Sequence, residues 1–179
     1  MPPRRGGDWD MESGFYQWKS PFEEFVGHVA NGWSPLIKAY PPAAAARFNE
    51  NKFPPNIHSG QRSQEISFDF RSGEMGLWRS EAVVPGHQYV IEAWAKYAPS
   101  PNGLKLFLGV DLTGGNQFEA ATVTWYPWQN TTPDQWIVTR QTVRATGERM
   151  TIFLRAVHPV PEPGGNTMFD NVSLLDQGR

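Results

Sequence analysis

Apolar and polar residues alternate with a period of two along most of this chain. Leu104, Leu106, Leu108 and Val110 fall on one side of a run whose other side is Lys105, Phe107, Gly109 and Asp111. Ile91, Ala93 and Ala95 alternate in the same way with Glu92, Trp94 and Lys96, and Met150, Ile152, Leu154 and Ala156 with Thr151, Phe153 and Arg155. A period of two is the mark of a strand with one buried face. Strand-like runs are predicted over Gly14–Trp18, Trp33–Tyr40, Gln64–Phe70, Gly76–Val83, Gln88–Tyr97 and Leu104–Asp111. Further runs cover Ala121–Tyr126, Trp136–Ala145, Arg149–His158 and Thr167–Leu175. Turn signals separate them, among them Pro85-Gly86, Gly114-Gly115-Asn116 and Pro163-Gly164-Gly165.

No helix of ordinary length is expected. The Ala43 to Ala46 run sits between Pro41, Pro42 and Pro54, Pro55, so it opens at most a turn or two inside a long loop over residues 40–57. Many short strands without crossover helices predict an all-β fold, an antiparallel two-sheet β-sandwich. One sandwich domain is expected over residues 11–176, with residues 1–10 as a flexible N-terminal segment.

Composition changes this picture in a few places. The 8 Trp, 11 Phe and 5 Tyr exceed what a core of this size needs, so some aromatics face outward. Net charge is -2 with dispersed Lys and Arg, which argues against nucleic acid as a partner. Cysteine is absent, excluding disulfides and thiol chemistry. No apolar run approaches the length of a bilayer span, so no membrane insertion is expected. Met1 to Asp10 carries Arg4 and Arg5 with no apolar stretch behind them, unlike a signal peptide.

The outward faces of several runs mix aromatics with charges: Trp94 with Glu92 and Lys96, Phe107 with Asp111, and Phe153 with Arg155. Such surfaces suit sugar rings, whose C–H faces stack on aromatics while their hydroxyls bond to charged groups. The competing expectation is that the 40–57 segment covers these aromatics as a second small core. Carboxylates are plentiful, and Glu92 and Asp111 could in principle flank one glycosidic bond. No nucleophile elbow, phosphate loop or clustered histidine set accompanies them, and no enzyme is expected.

Glu12-Ser-Gly-Phe-Tyr16, Val29-Ala-Asn-Gly-Trp33, His58-Ser-Gly-Gln-Arg-Ser-Gln64 and Val84-Pro-Gly-His-Gln-Tyr89 occur in order. Gly109-Val-Asp-Leu-Thr-Gly-Gly115, Thr151-Ile-Phe-Leu154 and Phe169-Asp-Asn-Val-Ser-Leu174 follow. Together they resemble bacterial jelly-roll carbohydrate-binding modules of the family 4/9/22 kind, in the galactose-binding-like superfamily. The resemblance implies jelly-roll topology, a non-catalytic, lectin-like role with a polysaccharide or glycan as partner, and a secreted, extracellular or cell-surface setting. A cytoplasmic one stays open for want of a signal peptide. It also implies a structural calcium ion held by Glu12 and Asp170, and a sugar site in a concave sheet groove. The candidates for that groove are Glu92, Trp94, Lys96, Asp111, Trp125 and Arg155, with Tyr126 and Trp128 on a loop rim. The alternative is a structural or assembly subunit that uses the same aromatic face for protein–protein contacts, by self-association or in a host assembly.

Overall fold

The computed structural model describes residues 9–19, 26–39 and 46–179. Residues 1–8 of the expected N-terminal segment lie outside the described residues, as do residues 40–45 of the expected loop, which include most of the Ala43 to Ala46 run.

Two five-stranded antiparallel sheets face each other across one core. Sheet I runs in the order β10 (Ile137–Arg144), β7 (Gln88–Tyr97), β12 (Thr167–Gly178), β5 (Ser63–Ser67) and β4 (Arg47–Asn51). Sheet II runs β3 (Ser34–Ala39), β6 (Gly73–Ala82), β11 (Arg149–His158), β8 (Lys105–Asp111) and β9 (Val123–Pro127). A hairpin of β1 (Phe15–Lys19) and β2 (Val26–Ala30) completes the strands among the described residues. Beyond the hairpin, the chain passes repeatedly from one sheet to the other, so sequence neighbours such as β6 and β7 lie in different sheets. This is a jelly-roll β-sandwich.

The alternation explains the core. Tyr89, Ile91, Ala93, Ala95 and Tyr97 of β7 and Phe169 and Leu174 of β12 face Met75 and Leu77 of β6, Leu106, Leu108 and Val110 of β8, and Met150, Ile152, Leu154 and Ala156 of β11. All of these are buried in a single cluster.

Two strands went unforeseen. Within the segment expected to be a loop, Arg47–Asn51 pairs antiparallel with β5 and buries Phe48 against Ile66. Phe48 is the only apolar residue in Arg-Phe-Asn-Glu-Asn, so no alternation was there to read. β2, in a stretch where no strand was expected, joins β1. The expected Gln64–Phe70 strand ends at Ser67. Phe68 is buried beyond it, and Phe70 takes a positive φ of 59° in the turn that follows.

Candidate functional site

The outward faces of the two sheets differ. On sheet I, β7 presents Glu92, Trp94 and Lys96, and the segment after β4 folds down onto them. A 3-10 turn at Pro54–Asn56 receives the Lys96 ammonium, which donates to the Pro55 carbonyl at 2.7 Å. The His58 ring stacks on Trp94 at 3.9 Å between centroids, with Trp136 edge-on to His58. Glu92 accepts from the Trp94 indole and pairs with Arg140. Burial lowers the His58 pKa against a smaller opposing pull from Glu92.

The same segment reaches the expected metal ligands. A bulge in β12, with Asn171 at φ 46°, follows Asp170, which is fully buried. One Asp170 carboxylate oxygen accepts the main-chain N–H groups of His58 (2.8 Å) and Ser59 (3.1 Å). Glu12 accepts those of Gln61 (3.0 Å) and Arg62 (3.1 Å) on the same turn. Gly60, at φ 72°, lies so close to the Glu12 carboxylate that a Cβ would strike it. Burial pushes the Asp170 carboxyl up to about 6; the hydrogen bonds oppose this and the charge of Glu12 adds to it. Among the described residues no group of three or more His, Cys, Asp or Glu side chains gathers, so the carboxylates at this turn stop at two.

On sheet II the outward residues line up across the strands. Register places Ser34, Trp78, Phe153, Gly109 and Trp125 in one row, and Leu36, Gly76, Arg155, Phe107 and Pro127 in the next. The Trp125 ring leans over Gly109, where a Cβ would come within 2.6 Å of it. The Arg155 guanidinium sits 3.8 Å from the Trp125 ring centre and 4.6 Å from that of Phe107, while its Nη1 donates to Glu74 at 2.9 Å. Phe153 is fully buried beneath this layer, and Trp125 packs on it with centroids 5.8 Å apart. Trp78, Phe107 and Trp125 remain half-buried and present to solvent. At the Trp78 end a pocket of about 610 Å³ opens, lined by Gly32, Ser34, Trp78, Ser80, Asn116 and Arg149 among others.

The residues expected to share one groove therefore divide between opposite sides of the molecule. Glu92, Trp94 and Lys96 lie under the 54–61 segment on sheet I, while Trp125 and Arg155 lie together on sheet II. Asp111 belongs to sheet II but is buried: it accepts from the Thr113 N–H (2.8 Å), the Thr113 hydroxyl (2.6 Å) and the Thr122 hydroxyl (2.9 Å), closing the turn after β8. Burial opposes its ionisation, yet these bonds outweigh that and hold its carboxyl below the usual range. Glu92 and Asp111, on different sheets, cannot flank one bond. Trp128 is no rim platform: it is buried in the core and donates to the Ile137 carbonyl at 3.1 Å. Tyr126, opposite Leu108, packs inward against the core. Trp78 and Arg149 are the additions. Trp78 alternates with Met75 and Leu77 by the rule that placed Trp94 outside, and its face was readable from sequence.

The sandwich, with the 54–61 segment over part of one face and an aromatic, charged row on the other, defines a protein with the fold of jelly-roll carbohydrate-binding modules. No family model and no curated protein matches the chain. Among solved structures it is similar to TmCBM61, a carbohydrate-binding module in complex with β-1,4-galactotriose, at 17% identity and a TM-score of 0.56, over 82% of this chain and 90% of that one. It is similar to a family 22 xylan-binding domain at 14% identity and TM-score 0.55, over 94% and 98% of the two chains. The enzymatically active domain of a bacteriophage CBA120 tailspike also matches, at 14% identity and TM-score 0.56, over 81% of this chain but 19% of that one. At such identities the likeness establishes the fold, and the function must be argued from the site.

Proposed function

We propose that the chain is a non-catalytic glycan-binding module whose polysaccharide lies across the outward face of sheet II. The observation that carries this reading is the row of Trp78, Phe153, Gly109 and Trp125, flanked by Arg155 and Phe107 and ending in the 610 Å³ pocket. Trp78 and Trp125 offer flat rings for pyranose C–H faces. Glu74, Lys38 and Arg155 offer donors and acceptors for hydroxyls, already oriented by their mutual ion pairs. The xylan- and galactotriose-binding modules of the same fold support a sugar as the occupant. Binding without turnover is favoured because the nearest carboxylates are committed: Glu74 to Arg155 and Lys38, and Asp111 to its turn.

A structural Ca²⁺ at Glu12 and Asp170 belongs to this proposal. Support comes from two carboxylates addressing one turn, one of them buried and pushed toward its neutral form with the other's charge adding to the push. A divalent cation would relieve that repulsion. Two carboxylates supply part of its six to eight oxygens, and main-chain carbonyls or water the remainder.

The test is affinity electrophoresis and calorimetry on a panel of plant and bacterial polysaccharides. At least one should retard the wild type, and Trp125→Ala should abolish the retardation while circular dichroism shows an intact fold. If no glycan binds and sizing shows concentration-dependent oligomers, the face serves protein contacts and this reading fails.

A further inference from the structure

The pocket at the end of the sheet II face has a chemistry of its own. Its floor is the half-buried Trp78 ring and Ser80, both on the outward side of β6. One wall is the β2–β3 turn at Gly32 and Ser34, closed by Arg79, which is bound to Glu81 at 2.5 Å. The other wall is Gly114, Gly115 and Asn116 with Arg149.

Arg149 differs from the other arginines of this face. Arg79 and Arg155 are each held by a carboxylate, Glu81 and Glu74. Arg149 is exposed and among the described residues makes only neutral contacts: Nε donates to the Ser80 hydroxyl at 3.3 Å and Nη2 to the Ser80 carbonyl at 3.2 Å. Those two bonds orient the guanidinium against β6 and leave most of its N–H donors for a ligand. Asp111 lies beside Gly115 of this wall, and its oxygens are spent on Thr113 and Thr122. The main-chain N–H groups of Gly115 and Asn116 donate to nothing among the described residues. Glycine at 114 is needed here, since its φ is 77° and a Cβ would lie 2.7 Å from the Arg149 Cβ. The pocket thus offers a ring platform, an oriented guanidinium fork with its charge unspent, and free main-chain donors.

We propose that this pocket is a subsite for a uronate, a pyranose carrying a carboxylate, with the sugar ring on Trp78 and the carboxylate on Arg149. The proposal rests on the glycan-binding reading of the sheet II face and specifies its ligand class. A planar, charge-assisted fork on a carboxylate is the geometry for which arginine is suited and lysine is not.

Polygalacturonate, alginate and hyaluronan are titrated into the full chain by calorimetry, each beside its carboxyl-reduced counterpart. At least one uronate polymer should bind about tenfold or more tightly than its reduced form, with the preference shrinking as salt is raised. Arg149→Gln should erase that preference. Arg149→Lys should restore only part of it, and thermal melts confirm that both variants fold. No preference for any uronate, or a preference that survives Arg149→Gln, overturns the proposal. Trp125→Ala separates it from the broader reading: reduced polymers that bind through Trp125 without any uronate preference sink only the subsite, whereas no binding of either form sinks both.

Discussion

At Gly109 the Trp125 indole occupies the space that any side chain would need, so the smallest substitution tests the largest ring. Gly109→Ala should tilt Trp125 off the face and lower glycan affinity about tenfold, with both aromatic residues still present; calorimetry reads the change. Asp170 makes a different prediction. Its carboxyl is pushed from an ordinary 3.8 up to about 6, so the metal-free native protein binds a proton that the unfolded chain releases. Stability in EDTA should therefore fall as pH rises through that window, by up to about 3 kcal/mol, and Asp170→Asn should flatten the slope. Ca²⁺ should raise the melting temperature at pH 7.5 and lose its effect below about pH 5, where Asp170 holds its proton. A melting temperature indifferent to both EDTA and Ca²⁺ at pH 7.5 would contradict the ion. Residues show, too, what alternation conceals. Asp111 and Phe153 stand outward by period, yet both are buried. Asp111 is held by a turn of its own making and Phe153 is roofed by Trp125, contacts that no periodicity encodes.

Among the elements, β7 and β8 show how far pattern reading reaches. Inward and outward positions of both were legible, because Ile91, Ala93 and Ala95 and Leu106, Leu108 and Val110 meet in one core. Alternation says which residues leave the core but not through which sheet. The turn between β7 and β8 carries the chain from one sheet to the other, so Trp94 and Trp125 point in opposite directions. The segment that covers Trp94 was also beyond reach. It is held by Lys96 on the Pro55 carbonyl and by main-chain N–H groups on Asp170, polar contacts in a stretch without apolar period. Trp94 is half-buried beneath the His58 ring. Trp94→Ala should cost about 3 kcal/mol of stability in denaturant unfolding, through the lost His58 stack and the void it leaves. Hydrogen exchange in residues 54–61 should quicken in the same variant.

For the whole molecule, the two outer surfaces of the sandwich differ. Sheet I is partly covered by the 54–61 segment, and the Glu12 and Asp170 carboxylates tie the N-terminal segment, that turn and the last strand together. Sheet II leaves its aromatic row open and ends it in a pocket with an uncommitted arginine. That division makes the central claim testable by a paired comparison: glycan titrations of Trp125→Ala and Trp94→Ala against the wild type, on protein shown by circular dichroism to be folded. The sheet II assignment predicts that Trp125→Ala loses binding while Trp94→Ala keeps wild-type affinity at a lower melting temperature. Loss of binding in Trp94→Ala with Trp125→Ala unaffected would contradict it.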